Sequence, residues 1–313
     1  SEIESGRLPS HEKLPSRRKL AAHLKVSLAT VGTAYAQLAA EGYVRAEPKR
    51  GYYVQPFAAH AFAGGRPAPP AASRKRRDPS KRPEFDFQTN VVDTNLFPYA
   101  IWARLARKTL SEGGEELLNA ADPQGDPALR GEIARYLHDF RGINAHPEQV
   151  VVGAGSEYLL GLLIQILGRR KVYAMEDPGY PKNRRIYMGN DAEIIPVPLD
   201  GQGLSDSELR KTEAEIVHIT PSHQFPLGMV MPVSRRISLL HWAREREGRY
   251  VLEDDYDSEF RFVGRPIPAL QGLDPEKVIY TNSFTRSLAP SLRISYLVLP
   301  ASLLEIYREK YLF

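Results

Sequence analysis

Apolar residues in the first fifty-odd positions recur at helical spacing and then switch to alternation. Leu20, Ala21 and Leu24 mark one face of a short helix that begins within Leu14-Pro15-Ser16-Arg17-Arg18-Lys19. Val31, Ala34, Tyr35 and Leu38 stand at i, i+3, i+4 and i+7 of a second helix running to about Ala40. Ser16 and Ser27 sit at the two starts, where a hydroxyl oxygen can accept a first-turn N–H, and Gly42 supplies a left-handed stop. Tyr43-Val44-Arg45 and Gly51-Tyr52-Tyr53-Val54 then read as strands joined by a charged turn that holds Pro48, Lys49 and Arg50. Two helices, a tight turn and a two-stranded wing make a winged helix-turn-helix, assigned to residues 1–56.

From residue 86 onward the rhythm is different. Val150-Val151-Val152, Val172-Tyr173-Ala174-Met175, Ile216-Val217-His218-Ile219, Tyr250-Val251-Leu252 and Val278-Ile279-Tyr280 are short, β-rich runs, and Ile294 to Leu299 is another. Helical patterns at Tyr158 to Leu167 and Ser234 to Arg246 lie among them. The alternation predicts an α/β unit over 86–313 with a largely parallel sheet. Between the two units, 57–85 is rich in Ala, Pro, Gly and Arg and cannot bury enough apolar surface to offset its ordering entropy, so it reads as a linker.

Charge separates the same three segments. Residues 1–56 hold 9 Lys/Arg against 5 Asp/Glu, 57–85 hold 7 against 2, and the remainder 26 against 31. A basic head and connector on an acidic body predict that the front of the molecule meets a polyanion, and the Arg74-Lys75-Arg76-Arg77 cluster suits either solubility or sequence-blind phosphate contact. The chain has no cysteine, which excludes disulfides and thiol chemistry. The histidines show no ligand spacing, so no metal site is predicted. No run of about 18 apolar residues occurs and the charged start lacks a signal-peptide core, so a cytoplasmic protein with no membrane partner is expected.

Ligands of α/β sheets gather beyond the carboxyl ends of the strands. There the chain places Gly153-Ala154-Gly155-Ser156-Glu157, opening a helix as phosphate cradles do. The next ends bring Glu176-Asp177-Pro178-Gly179-Tyr180, Thr220-Pro221-Ser222-His223-Gln224-Phe225, Glu253-Asp254-Asp255-Tyr256-Asp257, and Ser283-Phe284-Thr285-Arg286-Ser287 with Arg293 beyond it. A phosphate cradle, an aromatic ring, an acid, a phenol and a basic group together suit a flat heteroaromatic phosphate with a ring nitrogen, which is pyridoxal phosphate.

These segments carry two resemblances. From Leu14 to Tyr43 the chain follows, almost throughout, the GntR-type pattern LPSxRxLAxxLxVSRxTVxxAYxxLxxEGY. By that resemblance Ser16, Arg17 and Arg18 lie at the phosphate backbone, Ser27, Ala29, Thr30 and Thr33 face the major groove, and Lys49 and Arg50 serve the wing. Leu28 departs from the arginine common in the family, which removes one bidentate guanine contact. The larger part resembles fold type I aminotransferases, and the whole chain resembles the MocR/GabR-type regulators that fuse such a body to a GntR-type reader. Asp122-Pro123-Gln124-Gly125 followed by Leu129-Arg130 and Ile133-Ala134 is similar to that superfamily's N-terminal substrate-side motif.

The resemblance implies that Tyr180 stacks on the pyridine, Asp254 pairs with the ring nitrogen and Tyr256 bonds the O3′ oxygen. Ser156, Glu157 through its N–H, Ser283 and Arg293 resemble the phosphate cradle. His223 lies near the O3′ side, Phe225 occupies the slot of the aminotransferase asparagine, and Lys182 stands near the place of a substrate-carboxylate arginine. Arg286 holds the position of the lysine that bonds the cofactor covalently. An imine needs a neutral primary amine, and a guanidinium stays protonated and delocalised, so no covalent anchoring and no catalytic residue are assigned.

Arg286 leaves three explanations: noncovalent retention of the cofactor or an amino-acid adduct of it, alteration of a lysine at this site, or no cofactor. The family continues into a smaller C-terminal domain, so this chain, ending soon after its last strand, is expected to be part of a longer protein. The functional expectation is a homodimeric regulator that senses an amino-acid or B6 effector and presents its winged helices to paired half-sites on double-stranded DNA. The alternatives are a pyridoxal-phosphate-dependent aminotransferase, which Arg286 disfavours, and a ligand-insensitive DNA-binding scaffold.

Overall fold

A computed structural model describes residues 2–3, 7–56, 93–260 and 268–312. The chain divides into two compact units, Ser1–Asp86 and Phe87–Phe313. The proposed linker at 57–85, with its Arg74 to Arg77 cluster, lies outside the described residues.

In the first unit, α1 (Arg17–Leu24) starts where the Ser16 hydroxyl accepts the Lys19 N–H at 3.2 Å. Helix α2 (Leu28–Ala40) starts where Ser27 accepts the Thr30 N–H at 3.0 Å. Each cap satisfies an N–H that has no partner within the helix, worth about 1 kcal/mol. Strands β1 (Val44–Glu47) and β2 (Gly51–Val54) pair antiparallel with Val44 opposite Val54. Leu14, Ala21, Val31, Tyr35, Val44 and Val54 form the core. The Tyr35 hydroxyl donates to the Pro15 carbonyl at 2.9 Å, tying α2 to the segment that precedes α1. Leu24 departs from the helical reading: it is the last residue before a left-handed turn at Lys25, and it is exposed together with Val26 and Leu28.

The second unit begins with α3 (Tyr99–Gly113), which buries none of its side chains, and α4 (Pro127–Arg141). There follow β3 (Val150–Gly153), α5 (Ser156–Leu167), β4 (Val172–Asp177), α6 (Pro181–Gly189), β5 (Glu193–Asp200), β6 (Gly203–Leu204) and α7 (Asp206–Leu209). The chain continues through β7 (Ile216–Ile219), α8 (Val233–Arg244), β8 (Tyr250–Asp254), β9 (Val278–Ser283), β10 (Ser295–Val298) and α9 (Ala301–Lys310). The strands from β3 onward form one eight-stranded sheet in the order β3-β10-β9-β8-β7-β4-β5-β6. Strands β9, β8, β7, β4 and β5 are mutually parallel, whereas β10 runs antiparallel between β3 and β9 and β6 is an antiparallel edge.

Period-two alternation divides the strand residues between two faces. Tyr173, Met175, Ile216, Leu252 and Ile279 pack with Leu159 and Leu163 of α5, Tyr187 of α6 and Leu303 of α9. Their neighbours Ala174, Val217, Val251 and Val278 pack with Leu239, Leu240 and Trp242 of α8. Each fully buried large side chain contributes about 1.5–3 kcal/mol, so the sheet is held from both sides.

The same alternation sorts the acids at the end of β8. Glu253 and Asp255 turn into a buried polar layer while Asp254 faces the opposite way. Glu253 accepts the Leu270 and Gln271 N–H groups at 3.0 and 3.1 Å, with the Arg236 guanidinium 3.9 Å away. Asp255 pairs with Arg141 at 2.8 Å and accepts the Tyr280 hydroxyl at 2.6 Å and that of Ser222. Burial pulls the Arg141 guanidinium down, but Asp255, Tyr280 and Glu253 together outweigh it and the net shift is upward. This layer ties α4 and the loop after β7 to the carboxyl end of the sheet, where the pocket lies.

Candidate functional site

At that edge a cavity of about 230 Å³ opens. Ser156, Glu157, Tyr180, Asp254, Tyr256, Ser283, Arg286 and Arg293, the residues singled out from sequence, all line it. Their convergence follows from topology. Strands β3, β4, β8 and β9 deliver their carboxyl ends to one edge, and antiparallel β10 brings its amino end there, with Ser295 opposite both Gly153 and Ser283.

The helix-start corner is built around Gly155, whose φ of +108° lies in the left-handed half of the map. A Cβ at Gly155 would overlap the Arg293 guanidinium, so Arg293 rests directly on this glycine. The Glu157 carboxylate divides its oxygens: Oε1 accepts from Lys182 and Oε2 from Arg293. Burial alone pushes the Glu157 carboxyl up, yet hydrogen bonds from Lys182, its own amide and Arg293 outweigh it and bring it down to about 2. Lys182, expected near a substrate carboxylate, is thus held by Glu157.

On the opposite side Asp254 stands before a buried polar chain. The Tyr187 hydroxyl lies 3.0 Å from His218 Nδ1, and His218 Nε2 is 3.4 Å from Asp254 Oδ2. Asn183 Nδ2 is also 3.4 Å from that oxygen. These neighbours hold the carboxylate at the cavity wall. Tyr256 donates its hydroxyl to the His223 carbonyl at 3.1 Å, and the Arg286 guanidinium carbon is 5.9 Å from its ring centroid. Burial and Asp257 push the Tyr256 phenol up, against an opposing pull from Arg286. Phe225 sets the lip, edge-on to Tyr180 with centroids 5.1 Å apart. His223 turns away to bond Asp257 at 2.8 Å and does not line the cavity.

Sequence reasoning missed Asn183, Ile186, Thr220, Thr285 and Pro290, which complete the walls. The signal for Asn183 and Ile186 was present: they stand i+3 and i+6 from Tyr180, on one side of α6. His218 is buried and belongs to the Asp254 chain.

Among the DNA-side residues, Ser16, Arg17, Arg18, Ser27, Ala29, Thr30, Thr33, Lys49 and Arg50 are all exposed. The hydroxyls of Ser27 and Thr30 are bonded to each other at 2.8 Å, and Arg50 pairs with Glu47 at 3.2 Å. Among the described residues there is no cluster of acids and histidines that could hold a metal, and no helix long and apolar enough to cross a membrane.

The two units are a winged helix-turn-helix and an aminotransferase-like α/β body. Residues 1–54 match the model of bacterial regulatory proteins of the gntR family, and residues 84–309 match aminotransferase class I and II. The chain belongs to the aminotransferase class I and II family, here fused to a GntR-type reader in the MocR-type arrangement. It is 41% identical over 304 residues to the "Uncharacterized HTH-type transcriptional regulator YdeL" of Bacillus subtilis, covering 97% of this chain and 65% of that one. It is 34% identical over 322 residues to the "Probable rhizopine catabolism regulatory protein MocR" of Rhizobium meliloti, covering 99% and 65%. The chain thus spans about 65% of the length of these relatives.

Among solved structures it is similar to the α-aminoadipate aminotransferase LysN of Thermus thermophilus, complexed with N-(5'-phosphopyridoxyl)-L-leucine. The TM-score is 0.63 at 26% identity, over 72% of this chain and 60% of that one. The aminotransferase-like fold family binds pyridoxal phosphate.

Proposed function

We propose that this chain is a DNA-binding transcriptional regulator whose aminotransferase-like unit holds pyridoxal phosphate without a covalent bond and senses a B6 or amino-acid effector. In this reading 1–56 is the reader, 57–85 the connector and 86–313 the effector-binding and dimerising unit of a cytoplasmic, non-enzymatic homodimer. The observation that carries it is the company Arg286 keeps: the guanidinium lines the same cavity as Asp254, Tyr256 and Arg293.

The donor set fits the cofactor. Arg293 packed on Gly155 at the start of α5 suits a phosphate ester, Asp254 suits a protonated ring nitrogen, and Tyr180 and Tyr256 suit a flat ring with a phenolic oxygen. When bound, the cofactor supplies an electron-withdrawing ring and an aldehyde. Transamination also needs a basic amine to carry a proton, and a guanidinium at position 286 does not serve as one at neutral pH.

A ligand changes DNA binding only through a difference in its affinity for two arrangements of the protein. Addition of pyridoxal phosphate, alone and with amino acids, is therefore expected to shift the DNA-binding isotherm of the 313-residue chain. An isotherm that no such addition moves removes the sensing role. Two further outcomes check the assigned residues. Gly155→Ala places a methyl group in the Arg293 guanidinium and strains a positive φ, so pyridoxal phosphate affinity, followed by absorbance titration, is expected to fall. Arg17→Ala is expected to weaken binding evenly across DNA sequences and to lower the slope of log K against log salt by about 0.9, the loss of one phosphate contact.

A further inference from the structure

The Glu157 carboxylate lies across the donors that the cofactor reading gives to phosphate. It accepts from its own amide at the start of α5 and from Arg293, and its other oxygen accepts from Lys182. It is therefore bound much as an external anion would be at a helix start: by a main-chain N–H, a guanidinium and an ammonium. With its carboxyl down at about 2, Glu157 is ionised throughout the working pH range. A second anion at the same donors meets like-charge repulsion as well as competition for the same N–H groups.

We propose that Glu157 is a built-in competitor for the ligand's phosphate: a phosphate monoester takes Arg293 and the α5 N-terminus by displacing the Glu157 carboxylate, which Lys182 then retains. The division of the two oxygens makes this possible, because the Arg293 contact at Oε2 can break while the Lys182 contact at Oε1 stays. Phosphate affinity is thereby held down by a charge of the protein itself, and Lys182 lowers the cost of the exchange. Such a device keeps the pocket responsive to ligand concentration where a covalent bond is lacking. The inference rests on the reading of this pocket as a phosphate-ester site.

The test measures dissociation constants of pyridoxal phosphate, inorganic phosphate and phosphate-free pyridoxal for the 313-residue chain and its Glu157→Gln, Lys182→Gln and doubly substituted variants. Glutamine keeps the length of the side chain and removes its charge. Glu157→Gln is expected to tighten pyridoxal phosphate and inorganic phosphate by about tenfold, the scale of one charge-assisted hydrogen bond. Pyridoxal should bind unchanged. Lys182→Gln should weaken pyridoxal phosphate when Glu157 is present and have no effect when residue 157 is already substituted.

Unchanged or weaker phosphate binding by Glu157→Gln, with the unsubstituted chain still binding pyridoxal phosphate, overturns the competitor role and leaves the pocket assignment standing. An equal loss from Lys182→Gln in both backgrounds also overturns it, because Lys182 would then touch the phosphate itself. Failure of every protein to bind either phosphate removes the pocket assignment, and the competitor with it.

Discussion

Arg286→Lys is expected to convert a noncovalent pocket into one that bonds pyridoxal phosphate covalently. A lysine amine at this position can attack the cofactor aldehyde, with loss of water, to give an imine. Borohydride would then reduce its C=N bond and leave a stable pyridoxyl group on residue 286. The guanidinium of the unsubstituted chain forms no such bond. Arg286 is exposed and its neighbour is the Tyr256 ring at 5.9 Å, so the substitution disturbs little packing. The readouts are a visible absorption band that borohydride abolishes and a pyridoxyl mass on the peptide containing position 286. A variant that binds pyridoxal phosphate but yields no adduct at 286 would show that the cofactor aldehyde does not face this side of the cavity.

The second large effect is on stability. Arg141 and Asp255 are almost completely buried and pair at 2.8 Å, with Tyr280 and Ser222 completing the carboxylate's partners. Arg141→Met removes one charge and leaves the other in a poorly solvating interior, which typically costs about 3–5 kcal/mol. Net domain stabilities of about 5–15 kcal/mol make that a substantial fraction. The urea midpoint of the α/β unit is expected to fall with little change in slope. Asp255→Asn, which keeps hydrogen-bonding capacity, should cost less. A loss below about 1 kcal/mol for Arg141→Met would mean that water reaches Asp255 and that this layer does not brace the pocket edge.

Much of this architecture was legible in local pattern. Ser16 and Ser27 announced both helix starts, and the β-branched runs gave the strands whose carboxyl ends carry the pocket. The reversed direction of β10 was less apparent. Its link from Ser283 to Ser295 holds only a short 3-10 turn at Pro290–Leu292, too little for the crossover helix that a parallel neighbour usually needs. The run of acids from Glu253 to Asp257 could be named from sequence but not sorted, because the side chains diverge with the strand pleat and the partners Arg141, Arg236 and His223 come from distant segments. The Glu157 carboxylate was missed for the same reason. Its contacts with Lys182 and Arg293 span 25 and 136 residues, distances over which spacing along the chain carries no information.

A cofactor held by Asp254, Arg293 and the α5 start, in place of a bond to lysine, is the central expectation. Borohydride reduction of the chain with an equimolar amount of pyridoxal phosphate, followed by denaturation and peptide mass analysis, tests this directly. The prediction is that pyridoxal phosphate binds in the native state, is released or recovered as its alcohol on denaturation, and leaves every lysine peptide unmodified. A stoichiometric pyridoxyl group on any lysine, Lys182 of the pocket wall included, would contradict it.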